Sequence, residues 1–449
     1  MSEKKRLQVI TRGCSKNTVD TEHILAQVGG SYELCPEEGL PEGEYVDIVA
    51  VNTCGFIGDA KEESINTILE VAQRKKEGKV GQILAFGCLS QRYREELKDL
   101  IPEVDQWLGA RDNDEVVRAL GVVPDPALSQ KRFITGTTRS YAYLKISEGC
   151  DRRCSYCAIP YIRGAHRSVL MEKLVEEAEG LAAAGVRELV IIAQDTTYYG
   201  LDLYRRRALG ELLERLSAVK GIEWLRIHYS YPADFPEDVL DIMANNPKVC
   251  RYMDIPLQHI SDKVLDNMHR NVDGKWTREL IARMRAKVPG VVLRTTMIVG
   301  HPGEGPREFK ELMDFVKDAK FERLGAFTYS EEEGTFGAKN FRDSVRQSTK
   351  QKRLDALMEL QRGISLDYNL SRVGSTVRVL VDAWYPEQDM LVCRSEFESP
   401  EVDGEILVKY SAGLFEDVKP ESLVGHFAQV RITAADDYDL TADFVGRLD

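Results

Sequence analysis

The sequence contains no run approaching the roughly 18 consecutive apolar residues that a membrane-spanning helix needs, which excludes a helical span. Its first residues, Met1-Ser-Glu-Lys-Lys-Arg-Leu7, pass straight into a strand-like segment with no apolar core, so no secretory signal is expected. Cysteine is sparse: nine in 449 residues is far below disulfide-scaffold density, and the number is odd. A reducing, cytoplasmic location is therefore expected. A cationic excess is missing too. Lys and Arg number 60 against 73 Asp and Glu, a net charge of −13, which argues against a general nucleic-acid coat and leaves room for a basic partner. Low-complexity tracts and sequence repeats are also absent. What remains is a chain with 43% hydrophobic and 30% charged residues, the balance of a globular protein. Its length suits about two to four domains.

Three regions differ in pattern. Over the first ~120 residues, strand-like segments (Leu7–Thr11, Val46–Val51, Gly81–Phe86) alternate with helical ones (Thr21–Gln27, Ala60–Lys75, Arg92–Leu100), which predicts βαβ units and a parallel sheet. A segment with Pro124, Pro126, Ser129 and Gly136 marks a boundary. Six strand candidates follow: Tyr141–Ser147, Glu188–Gln194, Ile222–Tyr229, Arg251–Leu257, Val291–Val299 and Glu322–Tyr329. With helical patterns between them they predict a partial parallel barrel of six β–α units, and Thr349–Tyr368 reads as one long helix. Five short strands after residue 375 predict a small antiparallel, OB-like barrel. The expected fold is α/β throughout the first two regions, with domains at 1–125, 136–370 and 371–449. From Ser371 onward 7 Lys/Arg face 16 Asp/Glu, a net of −9 that marks a separate module.

The sharpest signal is Gly149-Cys150-Asp-Arg-Arg-Cys154-Ser-Tyr156-Cys157, three thiols on one loop directly after the first barrel strand. A structural zinc site takes four protein ligands, and the nearest other candidate, His166, is nine residues on. Three thiolates suit a 4Fe–4S cluster with one iron open to a cofactor. The other reading is a zinc loop. Cys14, Cys54 and Cys88 form a second set, each at the end of an N-terminal strand and each beside a glycine. In a parallel sheet such ends share one edge, so these thiols are expected to converge and to hold a second cluster; the alternative is scattered core cysteines. Cys35, Cys250 and Cys393 show no such placement and are expected to be structural.

The C-x3-C-x2-C loop resembles the signature of the radical S-adenosylmethionine (radical SAM) superfamily. Two three-cysteine sets in this order, followed by a small β-barrel, resemble the methylthiotransferase family over essentially the whole chain. That resemblance implies a C-terminal TRAM domain, two 4Fe–4S clusters and S-adenosylmethionine used both as methyl donor and as radical source. It implies that a C–H bond becomes C–SCH3. By the same resemblance Cys150, Cys154 and Cys157 hold the radical-generating cluster, Cys14, Cys54 and Cys88 hold the auxiliary one, and a low-potential electron donor such as flavodoxin or ferredoxin is a partner. No catalytic residue is assigned beyond the cluster ligands.

Weaker motifs are placed by the same comparison. Thr296-Met-Ile298-Val-Gly300-His-Pro-Gly303-Glu304 resembles a superfamily element that packs on adenine, with Thr296 where its first glycine stands; an ordinary turn is the other reading. Gln194 stands at the end of the second barrel strand, where its amide oxygen is expected to accept the cofactor's ammonium. Arg294 is expected either to hold a carboxylate or to form a salt bridge. His259 is either a pocket donor or a structural histidine.

Two family branches compete for the substrate. One modifies an adenosine in transfer RNA, the other an aspartate side chain of a small-subunit ribosomal protein. The segments Arg12-Gly-Cys14-Ser-Lys16-Asn17 and Val51-Asn-Thr-Cys54-Gly-Phe-Ile57 resemble the ribosomal-protein branch. An acidic third module fits that choice, because it repels polyanions and attracts basic proteins; nucleic acid and membrane are not expected as primary partners. The acids Glu396, Glu398, Glu401, Asp403 and Glu405 are expected in an exposed loop that recruits the substrate. A non-enzymatic, metal-stabilised ribosome- or RNA-binding factor is the remaining alternative.

Overall fold

Apart from the half-buried Asp47, Val46-Asp-Ile-Val-Ala-Val-Asn-Thr53 is buried on both faces of the pleat, the pattern of an interior strand of a parallel sheet. The computed structural model, which describes residues 4–38, 43–136, 140–410 and 419–447, places it there. Strands β1 (Arg6–Thr11), β2 (Glu33–Cys35), β3 (Val46–Thr53), β4 (Val80–Gly87) and β5 (Gln106–Trp107) form one sheet in the order β2-β1-β3-β4-β5. Every pair in it is parallel, and helices Ser15–Val28, Gly58–Lys76 and Cys88–Leu100 make the crossovers.

The second region opens with β6 (Tyr141–Lys145), followed by a short hairpin of β7 (Ser147–Glu148) and β8 (Arg167–Ser168). Strands β9 (Glu188–Ile192), β10 (Trp224–Ile227), β11 (Val249–Asp254), β12 (Val292–Val299) and β13 (Arg323–Thr328) complete a six-stranded parallel sheet in the order β13-β12-β11-β10-β9-β6. Each strand lies beside its predecessor, and β13 does not pair with β6, so the barrel is partial, as expected. Alternation sorts its residues. Leu189, Ile191, Leu225, Ile227, Met253 and Leu293 pack outward with the surrounding helices. The inner face carries Tyr143, Lys145, Glu188, Arg226, Asp254 and Arg294, a polar lining inside an apolar shell.

The helix Gln347–Ser371 leads into the third region. There β14 (Thr376–Tyr385), β15 (Met390–Arg394), β16 (Ile406–Lys409), β17 (Phe427–Ala435) and β18 (Leu440–Arg447) close a barrel in the order β14-β15-β16-β18-β17. Its pairs are antiparallel except β16–β18, which is parallel. A ring with an odd number of strands cannot alternate direction all the way round, so one parallel pair is a condition of closure.

The regions interlock. Arg132, from the segment read as a linker, donates to Glu177 (2.7 Å), to the Tyr143 carbonyl (2.9 Å) and to Glu22 of the first helix. Glu332, after β13, is bonded by Lys61 (2.7 Å) and Arg92 (2.9 Å) of the first region.

The acidic stretch of the third region corrects an expectation. It is not an exposed loop throughout: Glu398 and Asp403 are turned onto the inner face of the partial barrel, while Glu401 and Glu405 are exposed. Glu398, 1% exposed, receives Arg323 at 3.2 Å as well as Arg372. Glu401 accepts from the hydroxyls of Tyr141 and Tyr143, each at 2.7 Å. Asp403 accepts from Tyr252 at 2.6 Å, and Glu396 from the Arg251 amide at 3.0 Å. Of the two exposed acids, Glu401 makes these bonds to the second region and Glu405 makes none among the described residues. Glu398, Glu401 and Asp403 supply counter-charge and acceptors to a basic and phenolic barrel interior.

Candidate active site

The six paired-set cysteines all follow strand C-termini. Cys14 is the N-cap of helix Ser15–Val28, Cys54 follows β3, and Cys88 opens helix Cys88–Leu100 directly after β4. Glycine permits this convergence. Gly13 has φ +108°, and a Cβ there would lie 2.6 Å from Cys54 Cβ. A Cβ on Gly55 would lie 2.8 Å from the Leu89 backbone beside Cys88. Any larger residue would force the three strand ends apart. Cys54 is held further by Ser64, whose hydroxyl accepts from its amide (2.9 Å) and donates to its carbonyl (3.1 Å).

The second thiol set lies on the loop between β7 and β8. The Cys150 amide donates to the Gly164 carbonyl (3.1 Å) and the Cys157 amide to the Cys154 carbonyl (3.1 Å). The loop is pinned through Ser155, whose amide donates to the Met268 carbonyl (3.0 Å) and whose carbonyl accepts from the Gly337 amide (2.6 Å). Arg152 bonds Asp195 (2.8 Å) and lies over the Tyr231 ring, with its guanidinium 4.0 Å from the ring centroid. Arg270 stacks on the same ring and donates to Cys154 Sγ (3.5 Å).

Burial pushes the thiols of Cys54 and Cys150 up to about 12, and raises those of Cys88 and Cys157 as well. Ionisation at neutral pH therefore requires a positive centre, as iron or zinc provides. Among the described residues no three His, Cys, Asp or Glu side chains stand within grip of a single metal ion. All nine cysteines are free thiols.

The two sets adjoin. Helix Ile159–Arg163 begins two residues after Cys157 and is only ~7.5 Å long at 1.5 Å per residue. Its Ala158 and Ile162 flank pack against Cys88 and Ala110. At its end Arg163 donates to Cys88 Sγ at 3.2 Å.

Among the described residues, the buried polar atoms without a protein hydrogen-bond partner include Gln194 Oε1, Ser230 Oγ and Gln258 Oε1, after β9, β10 and β11 in turn. Unsatisfied buried acceptors and hydroxyls at successive strand ends fit a polar cofactor seated across the mouth. Gln194 is oriented by its own amide nitrogen, which donates to Glu148 at 2.6 Å and leaves the oxygen free. The other sequence candidates are placed differently. Arg294 lies deeper on the inner face, bonding Asp254 (3.0 Å) and facing Asp403 (3.7 Å) of the third region. Gly300 (φ +78°) donates its amide to Glu304 (2.8 Å), whose other oxygen receives Arg353 of the long helix (2.6 Å). That carboxylate fastens the turn after β12 to helix Gln347–Ser371. His259 accepts from the Ser261 amide (3.0 Å) and faces Glu304 (3.3 Å), within the same turn network. Cys250 and Cys393 are buried in the core, apart from both sets.

A six-stranded partial barrel bearing a three-thiol loop after its first strand, joined to a three-thiol α/β domain and a small closed barrel, defines a radical SAM protein with an added thiol-bearing domain. Residues 144–316 match the radical SAM superfamily, residues 373–445 the TRAM domain and residues 6–109 a family described as uncharacterized protein family UPF0004. The chain is 48% identical over 446 residues to the ribosomal protein uS12 methylthiotransferase RimO of Bacteroides thetaiotaomicron, covering 99% of each. It is 50% identical over 443 residues to the protein of that name from Porphyromonas gingivalis, covering 98% of this chain and 99% of the relative. The chain belongs to the RimO family. In fold it is similar to the radical S-adenosylmethionine methyltransferase TsrM of Kitasatospora setae, with a TM-score of 0.54 and 14% identity over 73% of this chain and 72% of that one. It is also similar to the cobalamin-dependent radical enzyme OxsB, with a TM-score of 0.51 and 12% identity over 80% and 56%.

Proposed function

We propose that this chain is a cytoplasmic radical SAM methylthiotransferase that replaces a β-carbon hydrogen of an aspartate in ribosomal protein uS12 with a methylthio group. The observation that carries the reading is the junction of two three-thiol sets through helix Ile159–Arg163. The likeness to RimO proteins over 99% of the chain supports the substrate.

In this reading Cys150, Cys154 and Cys157 hold one 4Fe–4S cluster, and Cys14, Cys54 and Cys88 hold a second. When bound, the first cluster with S-adenosylmethionine supplies hydrogen abstraction and the second presents sulfur. Gln194 orients the cofactor through its free amide oxygen. Gly300 and Glu304 keep the turn under the adenine in shape, and Arg294 sets the charge of the inner face. The inner barrel, floored by the third domain, keeps water from the reacting C–H. A low-potential donor of the flavodoxin or ferredoxin class supplies electrons.

Cluster-specific mutants test this. Cys150→Ala, Cys154→Ala or Cys157→Ala each removes about four iron per chain and abolishes reductive cleavage of S-adenosylmethionine. The triple Cys14→Ala, Cys54→Ala, Cys88→Ala variant loses about four iron but keeps cleavage, and no longer transfers methylthio groups. Wild-type transfer by that variant would overturn the auxiliary-cluster role.

A further inference from the structure

Arg163 is the point at which the two thiol sets meet. It is 2% exposed, and all three of its guanidinium nitrogens are used. Nε donates to Cys88 Sγ (3.2 Å). One terminal nitrogen donates to Asp20 (2.7 Å), Glu148 (3.2 Å) and the Ala110 carbonyl (3.3 Å), and the other to Asn17 (2.8 Å). Four of these acceptors belong to the first domain, whereas Arg163 and Glu148 belong to the second.

Packing alone does not require this arrangement. Arg163 and Lys145 share Asp20 and Glu148, two cations against two carboxylates, and the Nε of Arg163 is nonetheless directed at a sulfur. Glu148 continues the line: one oxygen takes Lys145 (2.7 Å) and Arg163 (3.2 Å), and the other takes the Gln194 amide nitrogen at 2.6 Å, leaving Gln194 Oε1 without a protein partner. A single hydrogen-bonded path therefore runs from Cys88, at the auxiliary site, to the side chain that faces the cofactor site.

We propose that Arg163 is a positioning residue that sets the auxiliary site's electron affinity through Cys88 and holds that site in fixed register with the radical site through Glu148. The inference rests on the reading that Cys14, Cys54 and Cys88 hold a cluster. A buried guanidinium donating to a ligand sulfur stabilises the electron-richer state, so it raises the reduction potential of whatever that sulfur binds. Lysine keeps the charge but not the planar fork, and reaches fewer of the five acceptors. Glutamine removes the charge and reaches only as far as the arginine Nε, the atom that faces Cys88.

The test uses the full-length chain carrying Cys150→Ala, Cys154→Ala and Cys157→Ala, so that only the auxiliary site can take up iron. Iron analysis comes first. About four iron per chain sustains the cluster reading, and none overturns that reading and the inference with it. In the loaded protein, a potentiometric titration followed by electron paramagnetic resonance compares Arg163, Arg163→Lys and Arg163→Gln. The expected result is a lower midpoint potential for Arg163→Gln, with Arg163→Lys between it and the parent. If Arg163→Gln does not fold or load, the lysine variant decides. A potential equal to the parent's in every loaded variant reduces Arg163 to a structural clamp and overturns the inference.

Discussion

The Tyr143 hydroxyl, on the inner face of β6, donates a 2.7 Å bond to Glu401, 258 residues later in the sequence. Tyr141 donates to the other oxygen of the same carboxylate at 2.7 Å. Through such bonds the third domain becomes the floor of the radical barrel. Part of its acidity is used within the fold.

Stability follows from that floor. Glu398 answers two buried guanidiniums, Arg323 and Arg372. Glu398→Gln leaves both without a counter-ion, and breaking a buried pair from one side costs about 3–5 kcal/mol. Denaturant unfolding of the full chain is expected to show that loss. A change within ~0.5 kcal/mol, the range of ordinary surface substitutions, would contradict the account.

The same carboxylate gives a pH signature. Burial alone would raise its pKa, but Arg372 and Arg323 outweigh burial and hold it down at about 2. In the unfolded chain it titrates near ~4.3. A depressed folded value means that its contribution is complete above the unfolded value and is lost as pH falls through the folded one. Unfolding free energy, compared between wild type and Glu398→Gln, is therefore expected to converge between about pH 4 and pH 2. A gap that persists unchanged at pH 2 would contradict the assignment.

The cofactor site yields a binding prediction. Gln194 Oε1 is buried and unpaired, while its nitrogen is fixed on Glu148. A hydrogen bond to a charged group contributes about 1.5–3 kcal/mol, so Gln194→Ala is expected to weaken S-adenosylmethionine binding about ten- to hundredfold. Equilibrium dialysis on anaerobically reconstituted protein reads this directly. Wild-type affinity would remove Gln194 from the site.

Arg270 should matter through the radical-site cysteines rather than through the substrate. It donates to Cys154 Sγ at 3.5 Å and to the Tyr156 hydroxyl at 3.4 Å. Groups that orient metal ligands typically matter about 10–100-fold, so Arg270→Met is expected to slow S-adenosylmethionine cleavage by that factor. Iron content measured on the same sample separates lost loading from altered chemistry. Cleavage at the wild-type rate would deny Arg270 this role.

How far the sequence alone reaches is instructive at particular residues. The six β–α units were readable because their outward faces are continuous apolar runs, and Leu189 and Ile191 or Leu225 and Ile227 sit at the expected spacing. The cysteine positions were readable because a parallel sheet brings its strand ends to one edge. The helix that begins at Ser15 was expected only from Thr21, because its first turns are polar. Lys16, Asn17 and Asp20 are nevertheless buried, covered by the second domain, with Lys16 over the Tyr229 ring. The same reason hid Arg163, Arg132 and the fate of the acidic loop. Their partners lie in other domains, and no local periodicity records a contact between Arg132 and Glu22 or between Arg323 and Glu398. Charge composition signalled that the third domain is distinct, but not which way its acids point.

The central claim is the substrate, and one measurement addresses it most directly. Reconstituted wild-type protein is given S-adenosylmethionine, a low-potential reductant, purified uS12 and bulk transfer RNA in one reaction, and both products are analysed by tandem mass spectrometry. The account predicts a methylthio group on a single aspartate of uS12 and unmodified adenosines in the RNA. Methylthiolated adenosine with unmodified uS12 would contradict it.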